Sequence, residues 1–220
     1  MTTICDTLAD AVQGIGDGAS IMVGGFGQAG MPGGLLEALL DTGATGLTII
    51  SNNAGQGENP LAALFRENRV VRVICSYPRT SGSVWFEKRW AAGDLTLDLV
   101  PQGTLAERMR IAGAGLGGVF TPTGYGTQIA EGKETRVIDG RGYVLEAPLS
   151  ADVALIRAEV GDRWGNLRYR ATARNFNPVM AMAGRLVVAQ VRRVSDEPLD
   201  PETVVTPGIF VDRIAVHDDR

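Results

Sequence analysis

The run Val23-Gly24-Gly25-Phe26-Gly27-Gln28-Ala29-Gly30-Met31-Pro32 constrains this chain more than any other stretch. It follows the apolar segment Ile21-Met22-Val23 and precedes Leu35, Leu36, Leu39 and Leu40, which share one helical face. That order reads as strand, glycine loop, helix. Glycine tolerates positive φ and lets a bound group approach bare backbone. Pro32 suits the first turn of a helix, where its missing N–H costs nothing. A helix start carries unpaired N–H groups and a partial positive charge, so it attracts phosphate or carboxylate. The loop is therefore read as an anion-binding element for a phosphate-bearing group. The plainer alternative is a tight turn before a helix, with no ligand.

Gly25, Gly27 and Gly30 stand at the spacing of a dinucleotide fingerprint. That fingerprint also needs an acidic residue about 20 positions on, to hold a ribose. The next strand, 47–50, instead runs into Ser51-Asn52-Asn53. A nicotinamide dinucleotide is thus disfavoured. Glycine makes up 29 of 220 residues, about twice the usual share. The excess clusters at 24–34, 113–118 and 124–126, which points to backbone-lined loops rather than disorder.

Along the chain, helices are expected at 6–15, 32–42, 61–67, 83–92, 104–111 and 177–183. Strands are expected at 20–24, 47–51, 70–75, 95–100, 153–160, 167–170, 185–190 and 209–216. Trp85, Phe86 and Trp90 are expected in the core, and 134–138 with 143–146 as a hairpin around Asp139-Gly140. Segments 113–127 and 191–206 read as loops. The first half is repeated β–loop–α, which argues for an α/β fold: an open, mostly parallel sheet flanked by helices. No repeat or linker divides the chain, so 1–220 is read as one domain. Ligands of such sheets sit at the C-terminal ends of the strands. The glycine loop, Ser51 to Gly55, Tyr77-Pro78-Arg79 and Pro101-Gln102-Gly103 all fall there.

Several chemistries are excluded. A formal net charge of −4 with scattered lysines and arginines does not suit nucleic acid. No run of about 18 apolar residues reads as a membrane span. No secretory signal is read at the start, and Cys5 and Cys75 read as two reduced thiols, so a cytoplasmic protein is expected. The one histidine, His217, rules out a His-based triad or metal site and reads as a surface residue in a fraying tail. No metal is expected. Among carboxylates, Glu58 lies near the proposed site, while Glu107, Glu131 and Glu134 have no partner that would tune them. What remains is a set of amides (Gln28, Asn52, Asn53, Gln56, Gln102) suited to an oxyanion or carboxylate, without a committed nucleophile.

At this point the residues resemble a known family. Asp17-Gly18, Ile21 to Phe26, Gly30 and Pro32 are similar to the signature of the A (α) subunit of family I CoA-transferases. So are Ser51 to Gly55, Val100 to Arg108, Thr121 to Thr127, Glu131 to Glu134, Gly161 to Leu167 and Ala173 to Pro178. The resemblance spans nearly the whole chain. It implies a fold akin to that of the phosphosugar-isomerase superfamily. It also implies ping-pong transfer of CoA through a glutamyl-CoA thioester, with no permanently bound cofactor and CoA as substrate. The nucleophilic glutamate would lie on a partner B (β) subunit, in a heterodimer or α2β2 heterotetramer. By position, Gly24, Gly25, Phe26, Gly27, Gln28, Ala29 and Gly30 would be the CoA-binding loop. Asn52 would be the oxyanion donor, and Gln102 would hold the incoming carboxylate. The blocks around Ser51 to Glu58, Cys75 to Arg79 and Thr206 to Val211 look more like members acting on 3-oxoadipate, from succinyl-CoA, than those acting on acetoacetate. Arg79 is the candidate for the second carboxylate of 3-oxoadipate. A non-catalytic phosphate- or sugar-binding module of the same superfamily is the remaining alternative.

Overall fold

The computed structural model describes residues 2–217. Its centre is the strand β2 (Ser20–Val23), whose alternating side chains enter two different cores. Ile21 and Val23 face one core and Met22 the other. A strand buried on both faces must be apolar throughout, which is why this segment is a continuous run rather than an alternation. The same split recurs in β3 (Leu47–Ser51), where Ile49 and Ile50 point to opposite sides, and in β9 (Ala151–Asp162) with Leu155 and Ile156.

These strands belong to a nine-stranded sheet. β4 (Val70–Cys75) and β5 (Thr96–Leu99) extend it on one side of β2 and β3. Beyond β9 lie β11 (Gly184–Ser195), β12 (Arg213–Val216) and, at the edge, β1 (Thr3–Cys5). All of these pairings are parallel. The exception is β10 (Leu167–Arg168), which turns back antiparallel onto β9.

Helices cover both faces. One carries α1 (Leu8–Val12), α2 (Gly33–Thr42), α3 (Pro60–Arg66) and α4 (Val84–Ala91), whose Val12, Leu35, Leu39, Phe65 and Phe86 join the first core. The other carries α5 (Gln102–Gly113) and α6 (Asn177–Ala183), through Leu105, Met109 and Met180. A separate antiparallel sheet consists of β6 (Val119–Thr121), β8 (Arg141–Glu146) and β7 (Thr135–Ile138). It is tied to α5 through buried Glu146, which meets Lys133 at 2.6 Å and Arg108 at 3.9 Å. No helix of the described residues is long and apolar enough to cross a membrane.

The α/β architecture matches the expectation, with several local differences. The edge strand β1 and the short β6 are not expected from the sequence, because three residues carry too little periodicity. α1 covers only part of 6–15. β11 continues through Arg192 and Arg193 to Ser195, because long β9 offers ladder partners up to Asp162. The last strand begins at Arg213, and Gly208–Phe210 is a 3-10 turn. Phe86 is core, but Trp90 is 45% exposed: it stacks on Phe86 at 6.4 Å and presents its outer side to Arg79. His217 does not fray: its N–H donates to the Val191 carbonyl at 2.8 Å and its ring lies over Gly34.

Candidate active site

Four consecutive parallel strands, β2 to β5, deliver their following loops to one edge of the sheet. Each contributes to one cavity of about 450 Å³: Phe26 and Gly27, then Asn52 and Asn53, then Ser76, Tyr77 and Thr80, then Gln102. A second cavity, of about 330 Å³, shares Phe26 and Gln102 and continues along Gly103 and Ala106 of α5 to Phe176. A third, of about 480 Å³, lies between Phe26, Ala29, Thr172 and Asn175. Phe26, 53% exposed, is common to all three.

The glycine loop is held from behind. Its amides at Gly24, Phe26, Ala29 and Met31 bond to backbone carbonyls, and Gly25 N–H donates to Asn175 Oδ1 at 3.1 Å. Fully buried Asn177 donates from Nδ2 to the Gly30 carbonyl at 3.0 Å, and Asn175 Nδ2 donates to the Ala29 carbonyl at 2.8 Å. A Cβ at Gly24 would stand 1.9 Å from Asn177 Oδ1, and one at Gly30 would stand 2.3 Å from the Ala173 carbonyl. Those two glycines therefore admit the first residue of α6 and the turn before it. The part of the loop that faces outward is Phe26, Gly27, Gln28 and Ala29; Gly24, Gly25 and Gly30 are buried.

Asn52 sits where β3 ends, 4% exposed. Its Oδ1 accepts from Gln102 Nε2 at 2.7 Å and from Ser76 Oγ at 2.9 Å. Its backbone carbonyl accepts from Tyr77 N–H at 2.9 Å, which ties the ends of β3 and β4 together. With Oδ1 doubly engaged, the free donors of Asn52 are those of Nδ2. Gln102 is brought to it by α5, which starts at that residue after Pro101. The structure thus unites Asn52, Gln102, Phe26 and Gly27 around one space.

Arg79 lies apart. Tyr77 and Thr80 on either side of it line the cavity, but its guanidinium rests over Trp90 at 5.6 Å and stands 3.7 Å from Glu87. Glu58 is turned outward and paired with Arg66 at 2.5 Å. Glu107 pairs with Arg110 and Glu134 with Arg136. Among the described residues, no carboxylate and no cation lines the three cavities that share Phe26. Nor does any group of three or more His, Cys, Asp or Glu form a metal-binding cluster there or elsewhere among them. Cys75, immediately before Ser76, is buried, and desolvation pushes its thiol up to about 12, so it is no thiolate at neutral pH.

Sequence reading missed Ser76, Asn175 and Asn177. Ser76 is a small polar residue at a strand end, the one available signal. The two asparagines act on a loop some 150 positions earlier, and no local pattern marks that contact.

The family model described as Coenzyme A transferase matches residues 5–217. The A chain of the 3-oxoadipate CoA-transferase of Pseudomonas putida is 60% identical over 95% of this chain and 91% of its own length. The corresponding chain of the succinyl-CoA:3-ketoacid coenzyme A transferase of Xanthomonas campestris pv. campestris (strain B100) is 48% identical, over 92% of this chain and 84% of its own. Among solved structures, the acyl-CoA transferase from E. coli O157:H7, in a thioester complex with CoA, superposes with a TM-score of 0.85 at 23% identity. That alignment covers 100% of this chain and 48% of the other, so this chain spans about half of it and the likeness concerns the fold. With a strand-end site and a family match over nearly its full length, the chain belongs to the coenzyme A transferase family.

Proposed function

We propose that this chain is the α subunit of an enzyme that moves CoA from succinyl-CoA to 3-oxoadipate, a step of aromatic-compound catabolism. It would work with a B (β) subunit that supplies the nucleophilic glutamate, as a heterodimer or α2β2 heterotetramer. One observation carries the reading: a cavity furnished with oriented amide donors and lined, among the described residues, by no carboxylate. Such a site stabilises an oxyanion, while its Ser76 and Thr80 hydroxyls bond to Asn52 and Ser83 and have no base beside them to make either attack a thioester.

The partner's glutamate carboxylate adds to the succinyl thioester carbonyl, the C–S bond breaks, and CoA thiolate leaves. The thiolate then attacks the glutamyl carbonyl of the mixed anhydride, releasing succinate and leaving a glutamyl-CoA thioester. 3-Oxoadipate repeats the two steps in reverse order, so no proton is gained or lost. Asn52 Nδ2 donates to the carbonyl oxygen as it becomes charged. Gln102 Nε2 has two hydrogens; one holds Asn52 and the other serves the incoming carboxylate. The outward part of the glycine loop, Phe26 to Ala29, forms the CoA side. In this reading 1–220 acts as one unit, CoA is a substrate and not a resident cofactor, and the free thiols Cys5 and Cys75 suit the cytoplasm.

The test is to combine the chain with its B partner and succinyl-CoA and to look for a CoA adduct on the partner's glutamate. Its absence under trapping conditions overturns the transferase reading. A second reading takes acetoacetate as acceptor; the Xanthomonas relative, named for a 3-ketoacid without a stated second carboxylate, is compatible with it. Parallel assays decide: higher kcat/KM with 3-oxoadipate is expected, and higher kcat/KM with acetoacetate moves the assignment to the second reading.

A further inference from the structure

Asn53 lies beside Asn52, is 6% exposed, and lines the same cavity. Its Oδ1 accepts the Gly55 N–H at 2.9 Å, and its backbone carbonyl accepts the Ser51 hydroxyl at 2.5 Å. The oxygen side of its amide is thus fixed. Its Nδ2 has no acceptor among the described residues. Neither has Asn52 Nδ2, whose oxygen is fixed from the other direction by Gln102 and Ser76. Two nearly buried amides, each with its oxygen tied off, therefore offer their N–H groups to one space. Both N–H groups open onto the cavity and are met there by water, which an oxygen of a bound acid can replace without losing the hydrogen bonds. With no cation in the lining, an anion there is met by dipoles alone.

We propose that Asn53 is a substrate-binding residue whose Nδ2 takes one oxygen of the acceptor acid's carboxylate, with the Gln102 amide on the other. This rests on the transferase reading above. A carboxylate has two oxygens, each with lone pairs in the carboxylate plane, and two neutral donors satisfy it without pairing it to a charge. The competing role for Asn53 is its turn alone, since the Oδ1–Gly55 bond shapes the loop after β3.

Two variants separate these roles. Asn53→Ser keeps a neutral side-chain oxygen to accept from Gly55 but loses the N–H reach. Asn53→Asp keeps the acceptor in place and replaces the donor with an oxygen. Each is assembled with the B partner and assayed in both half-reactions. KM for 3-oxoadipate is expected to rise about ten- to hundredfold, the range of a hydrogen bond to a charged group, outrunning any fall in the rate of glutamyl-CoA formation. An unaltered KM in Asn53→Ser overturns the proposal. So does an equal loss of both half-reactions, or of assembly with the B partner, in both variants, since that assigns Asn53 to the turn alone. If the unmodified pair forms no glutamyl-CoA, the parent reading has failed before Asn53 is tested.

Discussion

Gln102 and Asn52, fifty residues apart, share a hydrogen bond of 2.7 Å in which the glutamine donates and the asparagine oxygen accepts. The direction of that bond decides which end of the Asn52 amide is left to donate. Gln102→Glu reverses it: a carboxylate can only accept, so the Asn52 amide turns its N–H toward residue 102 and its oxygen toward the cavity. Gln102→Ala removes one support and leaves Ser76. The glutamate variant should therefore lose more activity than the alanine variant, by about 10²-fold in kcat against about tenfold, on the scale of a lost oxyanion donor. Steady-state kinetics of the assembled enzyme give the ranking; an alanine variant slower than the glutamate variant contradicts the mechanism.

Gly24 tests the back wall of the loop. A methyl group there meets Asn177 Oδ1 at 1.9 Å, inside a fully buried site. Gly24→Ala should destabilise the fold by about 3 kcal/mol, lowering Tm by roughly 6–12 °C for a domain of this size. Gly117, where a Cβ meets nothing within 4 Å, is the control. Thermal unfolding of the two alanine variants should differ clearly, and equal midpoints would show that Asn177 at the start of α6 gives way freely.

Asp162 anchors the other end of β9. Burial works to raise its pKa, but donors from Leu199 N–H, the Asn166 side chain, Asn166 N–H and Trp164 N–H outweigh it and hold the carboxyl below its ordinary value. A lowered folded-state pKa adds stability above the unfolded value of about 3.9, and that stability is lost as pH falls through the folded value. Asp162→Asn should cost about 2–3 kcal/mol at neutral pH, the worth of a charged hydrogen bond. It should also flatten the decline in stability below about pH 4. Denaturant melts across pH give both quantities; a parallel decline in the variant would remove Asp162 as the cause.

Arg79 is the candidate for reading the second carboxylate of 3-oxoadipate, from a long side chain at the cavity's margin. Its present partners, Glu87 and Trp90, are both on the surface helix α4 and are exposed enough for the guanidinium to exchange them for substrate. Arg79→Ala should lower kcat/KM for 3-oxoadipate several-fold to tenfold, as for a solvent-shared ion pair of about 1 kcal/mol. Turnover of acetoacetate, which lacks that carboxylate, should move little. An unaltered ratio between the two acids would sink the assignment.

How much of this was legible from residues alone follows from the range of the interactions. Ile21-Met22-Val23, the glycines and Pro32 act on their own neighbours, so strand, loop and helix were readable from local pattern. Asn52 and Gln102 were readable as strand-end and helix-start amides, and through family resemblance. Their mutual bond was not, because it depends on β3 and β5 being separated by β4 alone in the sheet. Asn177 was legible as a residue of a helix start before Pro178, yet its work is on Gly24 and Gly30 across the sheet edge. Polarity rises at Arg192 and Arg193, so local pattern ends the strand at Gln190 and puts the pair in a loop. It is the β9 ladder that carries the strand on.

The cavity between Asn52, Asn53 and Gln102 is lined by no charged side chain among the described residues. An enzyme that exchanges one acid for another must release the first as readily as it admits the second. A lysine or arginine at that point would hold the departing succinate as firmly as the arriving acceptor. Amide dipoles favour charge most where it is concentrated on a single oxygen during reaction, and less where a carboxylate spreads it over two. Neutral donors would thus hold neither acid so firmly that its release limits turnover, while the direction of net transfer follows from the equilibrium constant and the concentrations of both acids and both CoA thioesters.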